Sequence, residues 1–331
     1  AGCSRAVWAH PCVIRVGAAA AATTLAVKAN ILLGFALVVA QIGDVYRIRY
    51  PEGYLSLTSR LFAPLQLQLF GWIPGLHLRC FGVGTLQAQL LVFSLLPLGI
   101  VLLAVGVAKA RCGTMVPALP FVLRCTFLFY PAVSSKGFQT LGACECFEQV
   151  DGTPDICFLP ADYSVRCDGS HAPARLLALG MLAVALFGVG VPLLYASLLY
   201  ACRDAIRREA KTPLSSALDF LHGSLRPSTL WWPLVEAARA LLLTGFLALV
   251  TPGQLFQLLC GLLVAFAFTC LQLWCAPYRT TSNNLFAMVV NVSLVLDFVS
   301  SLGVQIDAEY GDDIDPTLLS IALYAASFAI F

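Results

Sequence analysis

The residues most able to do chemistry are ionisable side chains standing inside apolar runs. Asp297 falls about twelve residues into the run that begins at Leu285, and Arg124 about eight into the run that begins at Val116. A charge in hydrocarbon is costly, so such a group marks an ion path, a proton relay or a specific pair. Ser293, Asp297 and Ser300 fall at i, i+4 and i+7, on one face of a helix. With Asn291 and Ser301 they make a weakly polar strip that could line a cation route, with Arg124 as the partner of Asp297. An interhelical ion pair, or a water-filled crevice holding the bundle together, accounts for the same residues. Small polar residues at this spacing also serve as helix-packing contacts. Glu236 and Arg239, at i and i+3, share a helix face at the start of their run, where a local ion pair is expected.

A second group is sulfur. Four of the 13 cysteines, Cys144, Cys146, Cys157 and Cys167, lie close together in one polar stretch. Four cysteines allow three pairings, of which one joining Cys144 to its near neighbour Cys146 is the least expected. Zinc is the rival reading. The spacing lacks paired C-x2–4-C knuckles, however, and His171 is the one histidine nearby. Disulfides are therefore expected, and no metal. Cys260, Cys270 and Cys275 lie in or beside an apolar run, where a thiol is an ordinary small hydrophobe.

The elements that must position these groups follow from composition. Of 331 residues, 59% are hydrophobic and only 11% charged, against about 25% charged in soluble domains. So few charges cannot cover a water-facing surface, which excludes an ordinary soluble enzyme or nucleic-acid binder. The net charge of +2 gives no global pull toward an acidic partner. The predicted fold is all-α: a polytopic transmembrane helix bundle of about eight spans with one disulfide-containing extracytoplasmic loop. The spans fall at about 29–46, 86–108, 116–133, 176–200, 231–250, 254–274, 285–304 and 317–331. The last is too short for the ~20 residues of a full crossing, so the chain is expected to continue beyond it. Residues 1–28 read as a cytoplasmic linker or the start of the first span. Residues 51–80, broken by Pro64, Gly71, Pro74 and Gly75, suit a segment lying at the interface. Gly188, Gly190 and Pro192 mark a bend.

Orientation follows from basic residues in short loops. The connector 201–230 carries Arg203, Arg207, Arg208, Lys211 and Arg226, and is predicted to be cytoplasmic. It is also a candidate contact for anionic lipid, its apolar residues Pro213, Leu214, Leu218, Phe220 and Leu221 forming a strip. Loop 134–175 and the acidic segment 307–315 then lie outside, with Arg47, Arg49 and Arg60 dissenting. The acids of 307–315 lack the spacing of a calcium loop. Asn291-Val292-Ser293 matches a glycosylation sequon but sits inside a span. No phosphate loop, nucleophile elbow, zinc-protease helix or dinucleotide fingerprint occurs. Neither catalytic activity nor a cofactor is expected.

The loop and helix ends carry a recurring order: Phe129-Tyr130-Pro131, Val133-Ser134, Phe138, Cys144, Asp151-Gly152, Asp162-Tyr163-Ser164 and Cys167. Around it stand Lys28 to Gln41, Val189-Gly190-Val191-Pro192, Phe220-Leu221 before Trp232, Glu236 and Arg239, and Pro277-Tyr278 before Asn283-Asn284. Over about 28–304 this resembles the TRP-like membrane domain of large multispan proteins of unicellular eukaryotes, which often carry cysteine-rich, ephrin-receptor-like ectodomain repeats. Pro233 and Ala240 depart from that pattern, which has Glu after Trp and Lys after Arg. The resemblance implies a channel-like or receptor-like membrane domain beneath an ectodomain. It would sit in the plasma membrane or an endomembrane, as a homo-oligomer or within a larger membrane complex. A secondary transporter and a non-conducting signalling anchor are the alternatives. The first would show internal repeats and paired broken helices; two proline-broken spans occur, around Pro97 and Pro192, without a convincing repeat between the halves.

Overall fold

A computed structural model of the chain describes residues 10–48, 50, 54, 84–147, 156–167, 169, 171–208, 210, 212–250, 253–310, 321, 323 and 325. Seven helices are long and apolar enough to cross a membrane. They are α1 (His10–Tyr46), α2 (Leu86–Cys112), α3 (Leu119–Leu141), α4 (Ala174–Arg207), α5 (Trp232–Thr244, extended by a 3-10 turn Phe246–Leu249), α6 (Leu255–Cys275) and α7 (Thr281–Tyr310). The bundle is integral to a membrane, because its apolar side chains point outward. Leu95, Leu102 and Leu103 on α2, Leu263 and Phe266 on α6, and Val292, Leu296 and Val299 on α7 are all exposed. An unbroken apolar exterior of this kind is stable in lipid and not in water.

α1 packs against α3, α5 and α7, while α2 and α4 cover α3 and α6 covers α7. Burial follows this order: half of the most apolar stretch of α3 is inside the bundle, against 17% for α2. The two ends differ. At one end an antiparallel sheet, β1 (Glu145–Phe147), β2 (Ile156–Leu159) and β3 (Asp162–Arg166), stands between α3 and α4. Cys146 faces Cys157 across β1 and β2 and is bonded to it, and Cys144 is bonded to Cys167. Of the pairings left open by the sequence, the one realised joins the sheet across its strands and at its ends. The sheet is held to the bundle by Arg47, whose guanidinium pairs with Glu145, and by Asp162, which accepts from the Leu86 amide at 2.8 Å and caps α2.

At the other end, short helical turns at Pro213–Ala217 and Asp219–His222 link α4 to α5. They are locked to the turn between α6 and α7: the Arg226 amide donates to the Pro277 carbonyl at 2.9 Å, and Arg279 donates to the Leu225 carbonyl at 2.8 Å.

Several predicted boundaries move. The third span runs on to Leu141, so 134–141 is helix and not loop. Its polar residues Ser134, Ser135, Gly137 and Thr140 are small, and they let α3 press against Gly180 of α4. The fourth span extends to Arg207, because Leu199, Cys202 and Ile206 keep a buried stripe at helical spacing while Arg203 and Arg207 face out. The connector is correspondingly shorter than 201–230. Its apolar Leu218 and Leu221 pack into the bundle rather than forming a strip for lipid, and Arg203 and Arg207 at the end of α4 with Arg208 and Arg226 of the connector are the exposed bases at this end, beside exposed Asp204 and Asp219. The bend at Gly188–Pro192 takes the form of a π turn, Val184–Val189, which accommodates the amide that Pro192 cannot donate. Among the described residues there are seven candidate spans, corresponding to the first seven predicted. The predicted span 317–331 and the interfacial segment 51–80 fall, apart from Tyr54, Ile321, Leu323 and Tyr324's neighbour Ala325, outside the described residues.

One close approach fixes the α6–α7 pair. A Cβ added at Gly261 would lie 2.5 Å from the Phe298 ring and 2.7 Å from the Tyr46 hydroxyl, both groups being fully buried. Gly261→Ala is expected to cost about 1–3 kcal/mol through overpacking and to lower the thermal midpoint in detergent. Gly99→Ala on α2, where an added Cβ meets nothing within 4 Å, should leave the midpoint unchanged or slightly raised. Equal midpoints for the two variants would contradict this packing.

Candidate functional site

The polar residues of α7 face inward. Asn291, Ser293, Asp297 and Ser301 are all buried, with Asp297 only 3% exposed. Ser300, predicted to share this face, is half-exposed, and Ser301 takes its place. The Tyr50 and Ser301 hydroxyls are 2.9 Å apart, and Ser301, at i+8 from Ser293, stays on its face. Tyr46 anchors the same region from α1. Its hydroxyl donates to the Leu243 carbonyl of α5 at 3.0 Å, and its ring meets Phe298 edge-on at 5.3 Å. Asp297 acts electrostatically on Tyr50. Burial above all, then Tyr54 and then Asp297 hold the Tyr50 phenol well above its ordinary range, so it stays a hydrogen-bond donor. Gln41, 2% exposed, adds a further buried amide from α1. Nearby, Gln257 of α6 donates to the Val45 and Leu247 carbonyls at 3.1 and 2.8 Å.

Arg124 is not the partner of Asp297. It is exposed near the start of α3, and its guanidinium lies over the Phe220 ring at 5.7 Å. At about 1.5 Å per residue it stands roughly one and a half turns from the end of α3 that meets the connector. There a long basic side chain reaches the interface while its stem stays on apolar surface.

Glu236 and Arg239 do pair, with Nη2 and Oε2 2.6 Å apart. The pair is not merely local. Trp232 Nε1 donates to the other Glu236 oxygen at 3.0 Å, and Arg239 Nη1 donates to Asn291 Oδ1 of α7. Arg239 is 7% exposed, so this is a buried link between two helices. Asn291, which the sequence offers as a misplaced sequon and a member of a polar strip, is the acceptor that makes it so. Its being a polar residue inside an apolar run was the available signal.

A cavity of about 140 Å³ lies against this link. Glu236, Arg239 and Asn291 line it together with Phe127, Tyr130 and Phe220. Tyr130 is held in place by donating to the Ala237 carbonyl at 2.6 Å. Asn30, Ser224 and Glu236, also in the lining, are partly exposed, so the space communicates with the outside near the connector. Tyr278 closes the floor. Its phenol is raised above the ordinary range, first by burial and then by Glu236.

At the sheet end a second, more polar cavity of about 250 Å³ is lined by Asp44, Arg47, Lys136 and Gln139. Lys136 stands 3.7 Å from Asp44 across it. Among the described residues no group of three or more His, Cys, Asp or Glu side chains is placed to hold a metal ion.

No protein-family model, curated protein or solved structure matches the chain. The interior holds two buried polar groups, one around Arg239 and one around Asp297.

Glu236→Gln removes the carboxylate that balances a buried guanidinium and should lower unfolding free energy by about 1–3 kcal/mol. Changing Arg239 to Gln as well should cost clearly less than the sum of the two single changes, measured as thermal or denaturant unfolding in detergent. Additive losses would show that the two side chains do not act together.

Proposed function

We propose that the chain is the membrane domain of a channel-like or receptor-like protein that responds to or conducts cations, similar to TRP-like membrane domains. The observation that carries this reading is a carboxylate, Asp297, buried in the middle of a membrane-spanning helix among hydroxyl groups. A charge in hydrocarbon is costly, which marks the position as a functional candidate. Its surroundings support a path. The connector-side cavity reaches Asn291, Asp297 lies about 9 Å further along α7 at ~1.5 Å per residue, and Ser301 with Tyr50 about 6 Å beyond that. Polar groups thus recur along the bundle at steps that a hydrated cation or a proton could follow.

The same reading orients the molecule. Disulfides form in oxidising compartments, so the sheet with Cys144–Cys167 and Cys146–Cys157 is extracytoplasmic. The exposed Arg203, Arg207, Arg208 and Arg226 then face the cytoplasm, where anionic lipid attracts them. A homo-oligomer or a larger membrane complex would place the exposed apolar faces of α2 and α6 against neighbours as well as lipid.

The test is single-channel recording of the protein reconstituted in planar bilayers, alongside Asp297→Asn. Discrete cation currents are expected, with conductance or cation preference reduced in the variant. Silence from folded, reconstituted protein across voltage, calcium and pH would overturn conduction and leave a signalling anchor or a solute-coupled transporter.

A further inference from the structure

The polar cavity at the sheet end gathers charges that conduction does not use. Three helices end on it. Its lining includes Asp44 in the last turn of α1, Gln139 in the last turn of α3, and Ala248 in the turn that extends α5. The last carbonyls of a helix lack intrahelical donors and carry a partial negative charge. None of these three last turns holds a basic residue. Asp44 adds a full negative charge at the helix end where the dipole least favours one.

The bases around the cavity balance this only in part. Arg47, just past the end of α1, is taken by Glu145, whose second oxygen accepts from the Tyr163 hydroxyl at 2.8 Å. Lys136 is the other cation in the lining. Its Nζ lies 3.7 Å from Asp44 Oδ2, beyond the ~2.7–2.9 Å of a charge-assisted hydrogen bond. Neither group has another partner among the described residues. An ammonium and a carboxylate thus face each other with hydrogen-bonding capacity unused. A lone anion drawn to Lys136 would stand against Asp44 and the helix ends, and a lone cation drawn to Asp44 would stand against Lys136. Like charges placed so close oppose binding. A ligand that carries both signs meets neither penalty.

We propose that this cavity binds a small zwitterion, with an ammonium and an acidic oxygen a few bonds apart, as in a free amino acid. The ligand's ammonium donates to Asp44 among the helix ends, and its carboxylate accepts from Lys136. The cavity, about 250 Å³, exceeds the ~150 Å³ that takes one benzene ring, so both groups and a short side chain fit. Gln139 and the small Ala161 and Ala248 lie in the same lining, which suits a neutral side chain. An occupant would touch α1, α3, the extension of α5 and the turn between β2 and β3. The site needs no charge on Asp297 and stands whether or not the chain conducts. The headgroup of phosphatidylethanolamine, with phosphate in place of carboxylate, shares this chemistry.

The test follows thermal unfolding of the full chain in dodecyl maltoside, titrated with L-alanine, L-glutamine or lysophosphatidylethanolamine. At least one should raise the midpoint at millimolar concentration or below, with the saturation that mass action requires. Analogues without the ammonium (propionate, glutaramate, lysophosphatidylglycerol) should bind about tenfold more weakly than their parents, or not at all. The same holds for ethylamine and 4-aminobutanamide, which lack the carboxylate. Asp44→Asn and Lys136→Gln should each abolish the rise. Asp44 is exposed, so its variant gives the readout should Lys136→Gln fail to fold. The lipid arm separates the sources: a rise with an amino acid assigns the site to a free ligand, and a rise with the lysolipid alone assigns it to a headgroup. No saturable rise with any of the three zwitterions, an equal rise with a singly charged analogue, or a rise unchanged in the variants would overturn the proposal.

Discussion

The contact between α7 and α1 organises the interior of this protein. Lipid cannot satisfy an amide, a carboxylate or a hydroxyl, so the polar groups of a spanning helix must find partners inside the bundle. α7 buries Asn291, Ser293, Asp297 and Ser301, the last three on one face, and Tyr46 of α1 and Tyr50 after it meet α7 at Phe298 and Ser301. α5 closes the arrangement from the side, through the Leu243 carbonyl that receives Tyr46 and through Arg239, which reaches Asn291. The outer helices need only be apolar, and α2 is little else. Gly261 follows from the same constraint, since α6 can cover Tyr46 and Phe298 only where it has no side chain.

Each end of the bundle is then secured by different chemistry. At the sheet end, covalent cross-links and ion pairs hold exposed strands that bury little apolar surface: Tyr163 donates to Glu145 at 2.8 Å, and this bond keeps its phenol above the ordinary range. At the connector end, backbone hydrogen bonds tie residues 224–229 to the turn at 277–279. The connector supplies Phe220 and the turn supplies Tyr278 to the lining of the same cavity.

Much of this was legible in the sequence, and the exceptions have physical causes. Apolar runs of about twenty residues located the spans, because hydrocarbon thickness sets their length. Their ends were misplaced where small polar residues continued a helix, as at Ser134–Leu141, since Ser, Gly and Thr read as loop although they favour close helix packing. Asp297 stood out because a carboxylate has no ordinary use in hydrocarbon. Its assumed partner Arg124 did not hold, because depth along a span does not say which helices touch. Helical periodicity gave the polar face of α7 to within one residue. That Ser301 rather than Ser300 is fully buried goes with a hydroxyl contact to Tyr50, which lies 251 positions away in sequence. The Arg239–Asn291 link is a long-range contact of the same kind, and local spacing could supply only the Glu236 half of it.

The central claim is that the polar face of α7 points into the bundle toward α1. Nitroxide labels placed singly at positions 289–301, in protein whose free cysteines have been replaced and which is held in nanodiscs, measure it directly by their accessibility to oxygen. Accessibility should peak at Val292, Leu296 and Val299 and fall at Asn291, Leu294, Asp297 and Ser301, with the period of a helix. Peaks at Asp297 and Ser301 would place that face against lipid or in a gap between subunits, and would contradict the account.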